Sequence, residues 1–490
     1  MKKCLSIILC FMVLVGTLLA QGSAVDVSSD YSTSEFVHPI EQVVEAPEGY
    51  IGIHTPQELY DVRKNLSANF ILLSDIDLAD YENWEPIGTE SAPFTGIFNG
   101  NGHTVRNLQI DAQQKKEASY IGLFGFCFDV LHLCIENVTV SAKEIRTLFV
   151  GALCGRTSGT ILNCRIQKAF ISVDGVKGYV GGAVGFVGNN MQEILFDGSI
   201  YARSFEECSI GGIAGFSCNS MLQCGASAKI EAESMQTANI GGVVGSETPY
   251  CVLKNVYHRG NISGSHITSA VIGGISGFGR DIKNTYHTGI ITTTDCAKKQ
   301  VGGIVGEMTF IQSVFLNLTD SSEFRKYYTV RNSYYNGCNQ AVGNQNIFYR
   351  LFFMRSVEKR TEAQMSNPHL LCGFDFDSVW YPQGNLTTFQ SRNSEFKKRV
   401  VLWSGLSTSC FQSGSCLVNA FSEDSTVAFA DSSGQIYTSD YALFFRGETT
   451  IHFRTVYGDA AEISVCVYSI SGVINRLWTN ILNAISFNPK

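Results

Sequence analysis

Charged residues and catalytic motifs are the two things that this sequence has little of. Only 16% of its 490 residues are charged, with 36 lysines and arginines against 44 aspartates and glutamates. The net charge of −8 argues against nucleic acid or an anionic membrane as a partner, because both require clustered basic side chains. With 44% hydrophobic residues and 47 glycines against 9 prolines, the chain is nevertheless a folded protein. Its many Gly, Ser, Thr and β-branched residues favour sheet over helix.

The short motifs that identify several enzyme classes are missing. None of the nine histidines is followed by glutamate, which excludes the His-Glu-x-x-His helix of zinc metallopeptidases. The Gly-x-Ser-x-Gly turn of serine hydrolases and the P-loop are absent too. No Cys-x-x-Cys pair or cysteine–histidine cluster has the spacing of a zinc site. The sequence therefore predicts no metal, no cofactor and no catalytic residue.

The first 24 residues predict a signal peptide. Lys2 and Lys3 precede a mostly apolar run over 5–20, and small residues occur at two possible cleavage sites, 18–20 and 22–24. The apolar run is short for a membrane span, and polar sequence follows at once. We therefore expect a protein that is secreted or held at the cell surface by a partner, with no membrane span in the mature chain.

The positions of the cysteines favour free, buried thiols over a framework of disulfide bridges. Cys4 and Cys10 lie in the predicted signal peptide, which leaves 14 of the 16 cysteines in the mature chain. An even number permits disulfides in an oxidising compartment, but the spacing is irregular. Many cysteines occupy positions of apolar core residues, where a free thiol behaves as a small hydrophobe. The best candidate bridge joins Cys410 and Cys416.

A G-x-x-G phrase recurs through the middle of the chain at intervals of about thirty residues. Each interval contains three short strands and turns, which make one rung of a parallel β-helix. We expect the glycines to allow corners with positive backbone angles and to let successive rungs approach closely. Asn255, Asn284 and Asn332 fall in one column, where their amides can hydrogen-bond between rungs. The copies begin at Gly122, Gly151, Gly182, Gly212, Gly242, Gly274 and Gly303.

The repeat also divides the chain into predicted segments. Near its start, Thr55 and Glu58 form a capping box around Pro56, which predicts a short helix over 56–66 that covers the open end of the stack. After the repeat, strand-like segments in which apolar and polar residues alternate, and which lack the G-x-x-G motif, predict a small β-sandwich. The segments are a signal peptide (1–24), a polar linker (25–48), the β-helix with its caps (49–392) and a C-terminal β-rich domain (393–490).

These repeats resemble the GLUG motif of bacterial secreted and surface proteins. The resemblance rests on G-G-φ-φ-G units such as 181–185 and 302–306, and on lead-in segments at 72–78, 84–88 and 94–103. It covers roughly residues 50 to 380. The resemblance implies an all-β protein with a right-handed parallel β-helix and a surface or extracellular setting. It implies no particular reaction, because such repeats accompany adhesins, uncharacterised exported proteins and immunoglobulin-cleaving metallopeptidases alike.

The candidate ligand-binding residues centre on two Tyr-His pairs one rung apart. If the tyrosines face inward, the histidines stand outside on adjacent rungs, about 4.8 Å apart, where they could bind a metal or a sugar. If the register is inverted, the tyrosines form an exposed ladder that suits carbohydrate stacking. We favour solvated histidines without a ligand and buried tyrosines over either kind of site. The candidate residues are Tyr257, His258, Arg259, Tyr286, His287 and Tyr334.

Three functions remain open from the sequence. The one that we favour is adhesion, with a protein or glycan partner bound along an extended face of the repeat. The alternative is a polysaccharide lyase or hydrolase, which needs grouped carboxylates and a basic residue. We interpret Asp75 and Asp77 as turn-stabilising and Arg280–Asp281 as a solvated corner, and no column of carboxylates follows the rungs. A structural spacer that carries the C-terminal domain outward is the third possibility.

Overall fold

The computed structural model describes most of the chain from residue 40 onward. The predicted signal peptide and residues 25–39 of the predicted linker lie outside it, and the four segment boundaries stay predictions. Within the described residues, no helix is long and apolar enough to cross a membrane. The described ranges are 40–113, 118–249, 251–308, 330–344, 354–365, 367–376, 379–383, 386–389, 395–403, 407–413, 418–430, 434–438, 447–455 and 460–468.

A parallel β-helix of about eight turns forms the main body, as the repeat predicts. In the described part of the chain, 26 strands join in one sheet, and strands pair in parallel with those one turn away. One such column runs through Ile161, Met191, Met221 and Leu253, so partners are about thirty residues apart. The predicted all-β fold is confirmed.

The strands of the β-helix are numbered in chain order. They are β1 (Tyr50–Ile53), β2 (Asn69–Leu72), β3 (Ile76–Asp77), β4 (Phe94–Asn99), β5 (Thr104–Gln113), β6 (Ala118–Ile121), β7 (Phe124–Leu131), β8 (Cys134–Val150), β9 (Cys154–Thr157), β10 (Ile161–Gly181), β11 (Val184–Val187), β12 (Met191–Arg203) and β13 (Glu207–Gly211). They continue as β14 (Ala214–Ser217), β15 (Met221–Leu222), β16 (Gly225–Gly241), β17 (Val244–Glu247), β18 (Val252–Arg259), β19 (Ile262–Gly273), β20 (Ser276–Phe278), β21 (Asp281–Thr288), β22 (Ile291–Thr294), β23 (Lys298–Gly302), β24 (Val305–Glu307), β25 (Val330–Tyr335) and β26 (Met354–Lys359).

The motif glycines permit close approach of the rungs but do not form the left-handed corners. A Cβ atom on Gly182 would collide with the carbonyl oxygen of Gly212, and one on Gly212 with that of Gly242. The prediction of close approach is therefore confirmed. The prediction of positive angles is wrong, because none of the glycines that begin the seven copies has a positive φ. Polar residues, which tolerate this conformation through local hydrogen bonds, occupy one such column of corners: Asn101, His132, Asn163, Glu193, Gln223, Asn255, Asn284 and Asn332.

Asparagine amides in this column bond from rung to rung. Nδ2 of Asn284 donates to Oδ1 of Asn255 at 3.1 Å, and Nδ2 of Asn332 donates to Oδ1 of Asn284 at 3.0 Å. Because an amide side chain both donates and accepts, each one satisfies the next. The predicted asparagine column is confirmed.

A short helix caps the N-terminal end of the sequence repeat. Helix α1 (Pro56–Asp61) continues as a 3₁₀ turn (Val62–Lys64), so it is shorter than the predicted span 56–66. The hydroxyl of Thr55 accepts from the backbone N–H of Glu58, and the Glu58 carboxylate accepts from the backbone N–H of Thr55. This is the predicted capping box. Leu59 and Val62 are fully buried in the core of the β-helix.

The C-terminal part contains two further layers of strands around a second core. A four-stranded sheet has the order Arg399–Trp403, Ala460–Tyr468, Gly447–Thr455 and Val418–Ser422, and a three-stranded sheet has the order Ser407–Ser409, Gln435–Thr438 and Ala428–Ala430. Phe411, Ile436, Ile451 and Ile463 are buried between them, as a small β-sandwich requires. The elements are α2 (Glu362–Met365), a 3₁₀ turn (Pro368–Leu370), β27 (Trp380–Gln383), β28 (Leu386–Phe389), β29 (Glu395–Phe396), β30 (Arg399–Trp403), β31 (Ser407–Ser409), β32 (Phe411–Ser413), β33 (Val418–Ser422), β34 (Ala428–Ala430), β35 (Gln435–Thr438), β36 (Gly447–Thr455) and β37 (Ala460–Tyr468).

Candidate functional site

The two histidines of the predicted site point into the β-helix. His258 and His287 are fully buried and follow Ala226 in an inward column of the sheet. Their rings fill the space above motif glycines, since a Cβ atom on Gly242 would meet His258 and one on Gly274 would meet His287. The expectation that these histidines stand outside in solvent is therefore wrong. The register is the inverted one, which places each imidazole inside.

Inside the core, the two imidazoles form a stacked, hydrogen-bonded pair. Their ring centroids lie 5.1 Å apart with planes 3° from parallel, and the two Nδ1 atoms are 3.0 Å apart. Nε2 of His258 donates to the carbonyl oxygen of Ala228 at 3.0 Å. With both rings neutral, as their burial favours, Nδ1 of His258 accepts from Nδ1–H of His287. Burial lowers the pKa of His258 to about 4 and, with the neighbouring imidazole, holds the pKa of His287 well below its usual value.

The tyrosines of the predicted site point outward, yet the chain itself covers them. Tyr257, Tyr286 and Tyr334 occupy one outward column of β18, β21 and β25, which we call the tyrosine column. The rings of Tyr257 and Tyr286 stack at 5.2 Å with planes 6° apart. All three rings are buried, so the interpretation as buried aromatics is confirmed and that of an exposed ladder is wrong. The cover is the described part of residues 362–389, the covering segment, which contributes Met365, Leu371, Phe374, Val379 and Trp380.

Arg259 completes this region as part of the packing. Its Nε donates to the hydroxyl of Tyr286 at 2.8 Å, and its guanidinium carbon lies 4.7 Å from the ring centroid of Tyr257. Such a contact attracts the cation to the electron-rich ring face. The structure thus brings all six candidate residues together, but it places five of them in buried positions and Arg259 against two of the rings. Any binding role for the six residues stays a prediction.

Nine of the thirteen described cysteines are buried, as the core interpretation predicts. Cys154, Cys164 and Cys224 are free and buried, and burial raises the pKa of Cys164 and of Cys224 to about 12. These thiols therefore stay neutral and unreactive. Cys416 lies outside the described residues, so the Cys410–Cys416 bridge stays a prediction.

A buried charged cluster joins the β-helix to the C-terminal domain, and the sequence analysis missed it. Arg280 and Asp281 are buried, which corrects the expectation of a solvated corner. Nζ of Lys283 donates to Asp281 at 3.0 Å and to the hydroxyl of Tyr437, in β35, at 3.0 Å. Burial raises the pKa of Glu247, whose Oε1 accepts from the backbone N–H of Arg280, to about 8. These groups are closed off from solvent, so they fasten the C-terminal domain and line no substrate cleft.

The remaining carboxylates considered from the sequence have structural partners. Asp75 accepts from the backbone N–H of Thr104 at 3.0 Å and from Arg106 at 2.8 Å. Asp77 accepts from the backbone N–H of Ala79 at 3.0 Å. The turn-stabilising interpretation is confirmed for Asp77, whereas the bonds of Asp75 join it to the next rung. Across the described ranges, no group of three or more His, Cys, Asp or Glu side chains is placed to hold a metal ion.

One side of the β-helix carries an aromatic pair in which Phe170 is exposed and Tyr201 is half-buried. We call it the polar face: the outward residues of the strand segments that stack from β5 through β8, β10, β12, β16 and β19 to β22. Most of these residues are Ser, Thr or charged, as in the column Ser141, Ser172, Tyr201, Glu231 and Ser263. Phe170 stands among them with 46% of its surface exposed. Nothing in the packing of the core requires a phenyl ring there.

Phe170 and Tyr201 lie on adjacent rungs and form a tilted pair. Their ring centroids are 5.4 Å apart with planes at 44°. Nζ of Lys229, one rung further along, lies 3.3 Å from the hydroxyl of Tyr201 and 2.6 Å from a carboxylate oxygen of Glu231. We call these four residues the aromatic platform. It combines open ring surface with a donor and an acceptor, which is the chemistry of a binding site for a polar ligand.

Other aromatic residues outside the core form closed ladders instead. Tyr120, Phe149 and Tyr179 stack along the axis with centroids 4.7 and 5.2 Å apart and planes at 9° and 23°. Phe186 and Phe216 stack at 5.2 Å and 8°. In such ladders each ring covers the face of the next, so the faces are occupied. The ladders stabilise the stack of rungs.

Strand alternation is the signal that could have found the platform. Ala169, Ile171 and Val173 point inward, which leaves Phe170 outward at the intervening position. Because neighbouring side chains alternate across a strand, an aromatic residue out of phase with the apolar positions marks exposed ring surface.

Comparisons with known proteins show short stretches of similarity. No family model matches this chain. It is 32% identical over 122 residues to Halomucin of Haloquadratum walsbyi, and the aligned stretch covers 23% of this chain and 1% of that protein. It is 34% identical over 125 residues to "Putative Gly-rich membrane protein" of Evansella cellulosilytica, which covers 24% of this chain and 14% of that protein. The chain therefore spans only a small part of the length of either relative. A solved structure of IgA1 Protease aligns with 59% of this chain and 21% of its own, with a TM-score of 0.30 and 14% identity.

Proposed function

We propose that this chain is an exported repeat scaffold of the GLUG type that binds an extracellular partner along the polar face of its β-helix. The observation that carries the proposal is the aromatic platform, where Phe170 exposes 46% of its surface on an otherwise polar sheet. Exposing a phenyl ring forgoes the stabilisation that burial would bring, about 2 kcal/mol for a side chain of this size. A binding role accounts for that loss.

The rest of the architecture supports display. A stack of similar rungs presents a long, regular surface whose stability comes from each rung contacting its neighbours. The buried hydrogen bond between Lys283 and Tyr437 holds the C-terminal domain to this body. The names of the two relatives, one a halomucin and one a Gly-rich membrane protein, accord with a surface setting. A spacer role would use the same rigidity but would need no exposed ring.

Binding to immobilised extracellular polymers tests this function. The mature protein is passed over a mucin glycoprotein, collagen and fibrinogen, and the double variant Phe170→Ala/Tyr201→Ala is compared with Ile290→Ala. Ile290 is exposed on the same β-helix at a turn outside the platform, so it controls for the loss of an apolar side chain. We expect at least one surface to bind the wild type and the control, and to release the double variant. Equal binding by all three proteins, or binding by none, would reject the proposal.

A further inference from the structure

We propose that the aromatic platform is a glycan-binding site that takes a neutral oligosaccharide, with one sugar ring stacked on Phe170 and Tyr201 and its hydroxyls bonded to Lys229 and Glu231. This assignment rests on the proposed function and names the ligand class of the same face. It follows from the orientation of the rings, the polar pair beside them, and the limited apolar area around them.

Phe170 supplies the open ring surface of the platform, with 46% of its surface exposed, whereas Tyr201 is half-buried and Nζ of Lys229 lies 5.5 Å from its ring centroid. Parallel stacking at 9° in the ladder of Tyr120 and Phe149 leaves little room for a ligand between the rings. The tilt of 44° between Phe170 and Tyr201 opens a shallow angle instead. A pyranose ring presents C–H groups that carry partial positive charge, and these are attracted to the negative face of an aromatic ring. The platform is therefore shaped for the apolar side of a sugar.

The polar pair supplies the hydrogen bonds that such a ring needs around its edge. Lys229 offers ammonium donors, and Glu231 offers carboxylate acceptors, while the two charges cancel. A sugar hydroxyl can accept from the first and donate to the second. An anionic ligand would face the Glu231 carboxylate, and a cationic one would face Lys229. Matched opposite charges thus favour a neutral polyhydroxylated ligand.

The area of the platform is too small for a stable protein partner. A specific protein interface buries about 800 Å² on each side and centres on several apolar anchors. Among the described residues of this part of the β-helix, Phe170 and Val176 are the exposed large apolar residues, with 46% and 38% of their surface open to solvent. The platform extends over three rungs, about 10 Å along the axis. That length fits one or two sugar units more closely than a folded domain.

Titration with neutral oligosaccharides tests the assignment. Cello-, chito-, malto- and N-acetyllactosamine oligosaccharides are added to the mature wild-type protein and to Phe170→Ala, with Ile290→Ala as the matched control. We expect one series to bind the wild type and the control alike, and Phe170→Ala to lose about tenfold in affinity. The variant Phe170→Trp keeps a flat ring and should retain binding. Its indole fluorescence should change as the sugar is added.

The outcomes separate the glycan assignment from the broader function. If the protein surfaces bind in a Phe170-dependent manner while no oligosaccharide does, the glycan assignment fails and the binding scaffold stands. Binding confined to anionic glycans would reject the neutral ligand. If neither sugars nor protein surfaces depend on Phe170, both proposals fail. Thermal unfolding of each variant shows that the change lies in binding, because an exposed side chain contributes little to stability.

Discussion

The tyrosine column and the aromatic platform are both outward aromatic arrays on the same β-helix, yet only one of them meets solvent. Tyr257 and Tyr286 lie beneath the covering segment, whereas among the described residues no segment covers Phe170, which is 46% exposed, or Tyr201, which is half-buried. In both regions the strands pair in parallel with those one turn away, so outward side chains form columns. The difference comes from a later part of the chain, residues 362–389, which covers one region and not the other. An outward position in a β-helix is therefore a site only if no later part of the chain occupies it.

Removing the main anchor of the cover should have the largest effect on this comparison. Trp380 is fully buried and lies 5.9 Å from the ring of Tyr286 and 4.6 Å from that of Phe374, measured between centroids. Trp380→Ala should lower the free energy of unfolding of the covered region by about 3–5 kcal/mol, because it leaves a large cavity. Limited proteolysis and denaturant unfolding would measure this. Phe421→Ala, at an exposed position, is the control and should change stability little.

An unaltered proteolysis pattern in Trp380→Ala would show that the cover does not depend on this ring. The tyrosine column would then need another explanation for its burial. If the cover does loosen, the tyrosines should become accessible to solvent quenchers, and the two regions should come to resemble each other.

Protonation of the buried histidine pair should have the next largest effect. Burial holds the pKa of His258 at about 4 in the folded protein, against about 6.5 when unfolded. Between these values the unfolded chain binds more protons, so stability is full above about pH 6.5, falls as the pH is lowered, and levels off below about pH 4. The loss is roughly 3 kcal/mol for this imidazole. Denaturant unfolding at several pH values would measure it.

The double variant His258→Phe/His287→Phe tests the assignment of this slope. Phe196 and Tyr335 occupy the same inward column, which shows that the column accepts aromatic rings. The double variant removes both titrating groups and should lose this part of the acid sensitivity. A slope between pH 6.5 and 4 as steep as that of the wild type would mean that other groups cause it.

The sequence predicted the repeat and its N-terminal helix, but it did not show which side chains the covering segment buries. The period of the glycines predicted the rungs, and the capping box at Thr55 and Glu58 predicted the short helix at the N-terminal end of the repeat. Alternation within a strand could place Tyr257 outward and His258 inward or the reverse, because both are large and half polar. The imidazole of His258 points inward because it fills the space over Gly242. That contact involves a residue outside the strand, so alternation within the strand does not reveal it. The cover over the tyrosines depends on Trp380, whose position no local pattern reveals.

The smallest expected changes in stability should distinguish Phe149, which stacks in an aromatic ladder, from Phe170, which is exposed. Phe149 stacks on both Tyr120 and Tyr179, and aromatic pairs of this kind contribute about 0.5–1.5 kcal/mol each. Phe149→Ala should therefore lower the free energy of unfolding by about 2 kcal/mol and leave ligand binding intact. Phe170→Ala should change stability by less than about 0.5 kcal/mol and abolish most of the binding. If Phe170→Ala proves as destabilising as Phe149→Ala, Phe170 is a structural residue, and the reason for placing a ligand on it disappears.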